Sequence, residues 1–289
     1  MRLASLHTAR GATVAAVSGD PAAGRYVDLN AVDPDLPTSM RALLARGDWH
    51  ERAAAALAKG EAAGGFVTGD LLPPVPDPGK IICVGLNYKD HAEETGAAIP
   101  SEPVIFGKFS SAANAPGAEV TLPAASAKVD YEAELVVVIG KPGRRIAEAD
   151  AYGHVAAYTN GNDVSARDWQ KGRPGGQWLM GKTPDGFAPA GPHLVTPDEC
   201  GHPDDWPVRL TLNGEMMQDG TTAAFLFTIP RVIAHVSQVM TLAPGDLIFT
   251  GTPAGVGAAR TPPVFLKGGD ETVVEIGPLG RLVNRFVGE

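Results

Sequence analysis

The run Val129-Asp130-Tyr131-Glu132-Ala133-Glu134-Leu135-Val136-Val137-Val138-Ile139 constrains this chain more than any other stretch. Its β-branched residues, closed by the turn signal Gly140-Lys141-Pro142-Gly143, predict a strand. Residues i and i+2 of a strand point to one side, so Glu132 and Glu134 project together at the mouth of a segment that is otherwise buried hydrocarbon. Two carboxylates roughly 4–6 Å apart repel by a few kcal/mol at an effective dielectric of about 20. Protonating one, solvating both or setting a divalent cation between them removes that cost. A third acid, Asp163, follows Tyr158-Thr159-Asn160-Gly161-Asn162, which reads as the end of the next strand and can bring it beside the glutamates. Oxygen donors with no His or Cys among them favour Mg²⁺ or Mn²⁺ over zinc.

The rest of the chain supplies a frame for such a site. Glycine (35) and proline (25) make up about a fifth of the 289 residues and punctuate short apolar runs, which predicts many strands and turns. Residues 13–17 and 26–29 read as a small sheet. Helices are expected over 40–46, capped by Thr38 or Ser39, and over 48–59, with Asp48 as N-cap and Glu51 completing a capping-box-like pair. Four prolines in Leu71-Leu72-Pro73-Pro74-Val75-Pro76-Asp77-Pro78-Gly79 allow neither helix nor central strand. We therefore expect a small accessory α+β domain with its linker over 1–75 and a main domain over 80–289. The main domain begins with a buried strand at 81–84 and a short helix at 87–96. A hairpin turns at Asn213-Gly214, a helix capped by Thr228 covers 230–240, and strands follow at 246–250, 272–276 and 281–287. These connections are too irregular for a doubly wound parallel sheet.

A net charge of −9 with no basic run argues against nucleic acid or an anionic membrane as partner. No apolar run approaches the roughly 18 residues of a membrane helix. Residues 1–20 show no secretory signal, and Cys83 and Cys200 stand in unrelated contexts that build neither a disulfide framework nor a Cys-type zinc site. The expectation is a soluble, cytoplasmic protein.

Several residues outside the acid cluster can carry chemistry. His91 and Glu94 are spaced i, i+3 and share a helix face, and a His beside a carboxylate can activate water. Arg167, four residues after Asp163, either pairs with it on a helical turn or faces a substrate carboxylate. Lys182 sits in the glycine-flanked loop Met180-Gly181-Lys182-Thr183-Pro184-Asp185. Thr250-Gly251-Thr252-Pro253-Ala254-Gly255 follows a strand and can offer backbone N–H groups to an anion. This loop lacks a Walker lysine and does not fit the dinucleotide fingerprint, and no Gly-x-Ser-x-Gly or His-Glu-x-x-His occurs in the chain. Singly, each feature has an ordinary reading as a solvated face, a local ion pair or a turn.

Their order along the chain joins them. Gly85-Leu86-Asn87-Tyr88-Lys89-Asp90-His91, Tyr131-Glu132-Ala133-Glu134-Leu135, Asn162-Asp163-Val164-Ser165-Ala166-Arg167-Asp168, Gly181-Lys182-Thr183-Pro184-Asp185 and Thr250-Gly251-Thr252-Pro253 together resemble the fumarylacetoacetate hydrolase family over about residues 80–289. The resemblance implies a β-rich mixed roll around a metal site, usually in a homodimer. It implies Glu132, Glu134 and Asp163 as ligands of Mg²⁺ or Mn²⁺, and His91 with Glu94 as a water-activating dyad. Lys182 would stabilise an enolate, with Arg167, Gln170 and Thr252 around the 2-oxoacid end of a small anionic substrate. The activity first expected from it is hydrolysis of a C–C bond in an acylpyruvate-like 2,4-dioxo acid. Oxaloacetate-type decarboxylation, or hydration or isomerisation of a 2-oxoacid, is the alternative. A non-catalytic metal-binding member is a third, which the intact dyad disfavours.

Overall fold

In the computed structural model, which describes residues 1–289, the run 129–139 is divided. Val129–Asp130 pairs with Ser165–Ala166, and Ala133–Ile139 pairs with Val155–Asn162. The break has a hydrogen-bonding cause. Three successive N–H groups go to side chains: Tyr131 to Asp130 Oδ1 (2.9 Å), Glu132 to Asn162 Oδ1 (3.0 Å) and Ala133 to Gln218 Oε1 (2.8 Å). Side-chain acceptors thus replace the strand ladder where the glutamates begin.

Past the break the strand is covered on both faces. Leu135, Val137 and Ile139 enter a core of 32 buried residues, whereas Val136 and Val138 enter another of 22. Double coverage explains why the apolar run shows no polar alternation. The second core includes Leu29, Leu43 and Ala53, so the N-terminal helices share one core with the central strand.

The main sheet runs Phe66–Val67, Tyr26–Asp28, Gly11–Val17, Arg2–Thr8, Ala188–Val195, Val155–Asn162, Ala133–Ile139, Leu247–Phe249, Ile81–Gly85 and Val104–Lys108. Most neighbours are antiparallel, but Leu247–Phe249 and Ile81–Gly85 are parallel. The first strand, absent from the sequence expectation, pairs with Gly11–Val17 on one side and, through Arg2 and Leu3, with Ala188–Val195 on the other. The hydrogen-bonded sheet therefore continues across the proline-rich run. A five-stranded sheet, which includes the Asn213-Gly214 hairpin, supplies Val208, Leu210, Val274 and Phe286 to the larger core. The architecture is α+β and rich in strand. No helix is long and apolar enough to cross a membrane.

The helix expectations hold with one correction. Met40–Leu44 is capped by Ser39, and Ile229–Ser237 by Thr228. The helix Trp49–Ala62 follows Asp48, but the Asp48 carboxylate makes no capping bond. It is held instead by two bonds of 2.9 Å from Arg46, a planar pairing that turns it away from the helix end.

Candidate active site

The two strand ends and the loop after them set three buried carboxylates, Glu132, Glu134 and Asp163, with oxygens within 4.8 Å of one another. Anions buried this way require cations. Lys182 Nζ donates to Glu132 Oε2 and to Asp163 Oδ2, each at 2.7 Å. Arg167 Nη2 donates to Glu132 Oε1 (2.7 Å), and Lys108 Nζ lies 2.6 Å from Asp163 Oδ1. Glu134 has no cationic side chain; its Oε2 accepts from the N–H of Gly251 (2.8 Å).

The charges follow from this arrangement. Burial, then Asp163 and Glu132, pushes the Glu134 carboxyl well above the usual glutamate range. Burial also acts upward on Glu132, but Lys182, Arg167 and His91 outweigh it and hold that carboxyl below the usual range. Burial alone would discharge Lys182, yet Asp163 and Glu132 reverse the effect and keep the ammonium protonated.

The donor set suits a hard divalent cation. It is all oxygen, and the buried Glu134 carboxyl pairs with no cationic side chain.

Beside the cluster, His91 Nδ1 lies 2.8 Å from Glu94 Oε1, and Glu94 Oε2 accepts from the N–H of Gly255 (2.8 Å). Buried Asn87 ties the segment before this helix to the glycine-rich loop, donating to the carbonyls of Thr250 (2.7 Å) and Phe227 (3.1 Å). Two glycines of that loop are required by geometry. Gly251 has φ +96° and Gly255 has φ +106°; a Cβ would stand 2.7 Å from Asn87 Cβ at the first and 2.2 Å from the Met217 carbonyl oxygen at the second.

A cavity of about 520 Å³ opens over these groups. Eight of the nine candidate residues line it: His91, Glu94, Glu132, Glu134, Arg167, Gln170, Lys182 and Thr252. The ninth, Asp163, is reached through Lys182. Phe106 and Trp178 form an edge-to-face pair on its wall, ring centroids 5.4 Å apart. A family model for the fumarylacetoacetate (FAA) hydrolase C-terminal region matches residues 80–287. The chain belongs to the fumarylacetoacetate hydrolase family.

Its relatives in this family differ in reaction. The mitochondrial oxaloacetate tautomerase FAHD2A of Homo sapiens is 47% identical over 272 residues, covering 91% of this chain and 84% of the relative. The crystal structure of maleylpyruvate hydrolase from Sphingobium sp. SYK-6 superposes with a TM-score of 0.80 at 31% identity, covering all of both chains. That of 2-hydroxyhepta-2,4-diene-1,7-dioate isomerase from Mycobacterium marinum gives 0.78 at 32%, covering all of this chain and 99% of the other.

Within the family site, Arg167 does not make the pairing with Asp163 that sequence spacing allowed. It turns from Asp163 to Asp130 and Glu132, because both are buried and lie within its reach. Sequence reasoning missed Asp130, although it stands two residues before Glu132 in the same run. Its Oδ1 accepts from the N–H of Gly257 (2.7 Å), and its Oδ2 from Ala258 (3.0 Å) and Arg167 Nε (2.8 Å). Lys108 was also missed; its signal is a lysine ending the strand Val104–Lys108, where it is buried. Gln218, whose Nε2 donates to Thr252 Oγ1 (2.7 Å), had no local signal.

Proposed function

We propose that this chain catalyses keto–enol interconversion of an oxaloacetate-like 2-oxoacid, with Mg²⁺ or Mn²⁺ held by Glu132, Glu134 and Asp163. The observation that carries the reading is Lys182, a buried ammonium with two donors on ligand carboxylates and one left for the cavity that His91 also lines. The 47% identity to a tautomerase supports this reaction ahead of hydrolysis.

When bound, the cation would polarise the substrate's 2-oxo group and share the charge of an enolate. Glu94 accepts from His91 Nδ1, which fixes the ring and leaves Nε2 as the base. Nε2 takes a C3 hydrogen as a proton, the C–H electron pair becomes the C2=C3 bond, and the carbonyl π pair moves to O2. The third donor of Lys182 stabilises O2 as charge develops there, and return of the proton to O2 gives the enol. Thr252 Oγ1 already accepts from Gln218, so its own hydroxyl hydrogen remains for the substrate carboxylate, as does Gln170 Nε2.

C–C hydrolysis, in which the same dyad deprotonates water, is the second reading, favoured by the likeness to maleylpyruvate hydrolase. Proton NMR in D₂O with Mg²⁺, offering oxaloacetate and acetylpyruvate in parallel, separates the two. Accelerated loss of the oxaloacetate C3 signal without acetate from acetylpyruvate supports tautomerisation. Acetate plus pyruvate from acetylpyruvate establishes the hydrolase, and fast pyruvate release from oxaloacetate the decarboxylase. The reading includes a homodimer, tested by light scattering. It also keeps the cytoplasmic placement, tested by cell fractionation, against a human relative whose name is mitochondrial.

A further inference from the structure

One wall of the cavity carries a cation with no part in the proton transfer. Arg260 lines the space beside Val256 and Thr261, half-buried, and no acid pairs with it. The other two buried cations of the cavity are paired with acids: Arg167 with Asp130 and Glu132, Lys182 with Glu132 and Asp163. Arg260 is fixed by neutral acceptors. Its Nη2 donates to the Met217 carbonyl (2.6 Å) and its Nε to the Gly255 carbonyl (3.4 Å), while Nη1 donates to no protein acceptor. Carbonyl oxygens hold the guanidinium plane without neutralising it, so the charge and an open edge of the fork are left for an anion.

The position of that fork is informative. The Gly255 peptide that takes Arg260 Nε at its oxygen gives its N–H to Glu94, the dyad carboxylate. Tyr131 donates its hydroxyl to the same Gly255 oxygen (3.3 Å) and packs against Arg260. Arg260 therefore stands at the dyad end of the cavity, where the distal part of a substrate held by its 2-oxoacid end must lie.

We propose that Arg260 receives the distal carboxylate of the substrate and makes the site selective for 2-oxo dicarboxylates over 2-oxo monocarboxylates. The assignment rests on the enolisation reading only for the direction in which the substrate lies. Arg167, unlike Arg260, already has its charge answered by two buried carboxylates, Asp130 and Glu132, which makes it the weaker candidate for that group. Lys171, at the cavity edge and exposed, has no fixed geometry and serves as the control.

The test is calorimetric binding of (R)-malate and (R)-lactate to the full-length, Mg²⁺-loaded protein. The two ligands share a 2-hydroxycarboxylate end, differ in the distal carboxylate and are not turned over by enolisation. Wild type should bind malate at least tenfold more tightly. Arg260→Gln should weaken malate ten- to a hundredfold, about 1.4–2.8 kcal/mol, and leave lactate within twofold. Arg260→Lys should fall between, and Lys171→Gln should keep the discrimination. Equal loss of both ligands in Arg260→Gln and Arg260→Lys would make the residue a loop support only and overturn the assignment. A wild type without malate preference, or discrimination lost in Lys171→Gln alone, would also overturn it. Because no turnover is scored, a protein that discriminates malate but does not enolise oxaloacetate fails the proposed reaction alone. One that enolises oxaloacetate with an unchanged KM in Arg260→Gln fails this assignment alone.

Discussion

Replacing Arg167 by Met separates support of the acid cluster from direct capture of a substrate carboxylate. The guanidinium gives Nε to Asp130 Oδ2 (2.8 Å), Nη2 to Glu132 Oε1 (2.7 Å) and Nη1 to Gln170 Oε1 (3.0 Å). Burial opposes its charge, but Asp130 and Glu132 outweigh burial, so it is a fixed cation. Removing it leaves Asp130 without its cation and Glu132 with Lys182 alone. Breaking a buried pair by deleting one partner costs about 3–5 kcal/mol. The side chain is 12% exposed, so solvent screens the loss little, and we expect about 3 kcal/mol less unfolding free energy by urea denaturation. Glu132 also loses the partner that orients it, and groups supporting metal ligands typically contribute about 10–100-fold in affinity, which an Mn²⁺ titration reads. A variant within about 0.5 kcal/mol of wild type, with unchanged Mn²⁺ affinity and only a raised KM, would refute this reasoning and restore Arg167 as a substrate clamp.

Three further outcomes follow from the same geometry. His193 is buried against the Tyr26 hydroxyl (3.2 Å to Nε2), and burial, then Arg2, lowers it to about 4. Between that value and the unfolded value near 6.5 the unfolded chain binds a proton that the native state refuses; stability therefore falls as pH falls, by about 2 kcal/mol at pH 5, and His193→Phe should flatten the slope of urea midpoint against pH. Gly255→Ala drives a Cβ toward the Met217 oxygen and displaces the N–H that holds Glu94, so kcat should fall at least tenfold while an Mn²⁺ titration stays near wild type. His91→Ala should keep metal binding and lose turnover; unchanged turnover removes His91 from the reaction.

The sequence was most readable where one residue type meets one local requirement. The double-faced apolar strand, the Asn213-Gly214 hairpin and the Thr228 cap each depend on a few adjacent residues, and each is present. The acid cluster was readable because Glu134 lies at the start of one strand, Glu132 just before it and Asp163 just after the neighbouring strand, so pairing of those strands brings the three together. What stayed hidden depends on groups far apart in the chain. Gln218 takes the N–H of Ala133 from 85 residues away, and with Asn162 breaks the strand that the run 129–139 had promised. Lys108 and Arg260 are ordinary cations in sequence; only the fold gives one a buried acid and leaves the other with none. The strand Arg2–Thr8 is completed by Ala188–Val195, a pairing that no local pattern announces.

The central claim is that Glu132, Glu134 and Asp163 form a divalent-cation site that drives enolate chemistry. Its most direct test is the ketonisation rate of enol-oxaloacetate, followed by ultraviolet absorbance. The assay compares chelator-stripped protein, the same protein with Mg²⁺ or Mn²⁺ restored, and Glu134→Gln, which keeps the side-chain shape but removes the one ligand charge that no protein cation answers. The account predicts acceleration over the buffer-plus-metal rate only in the restored wild type. Equal acceleration by the stripped protein, or by Glu134→Gln at limiting metal, would contradict it.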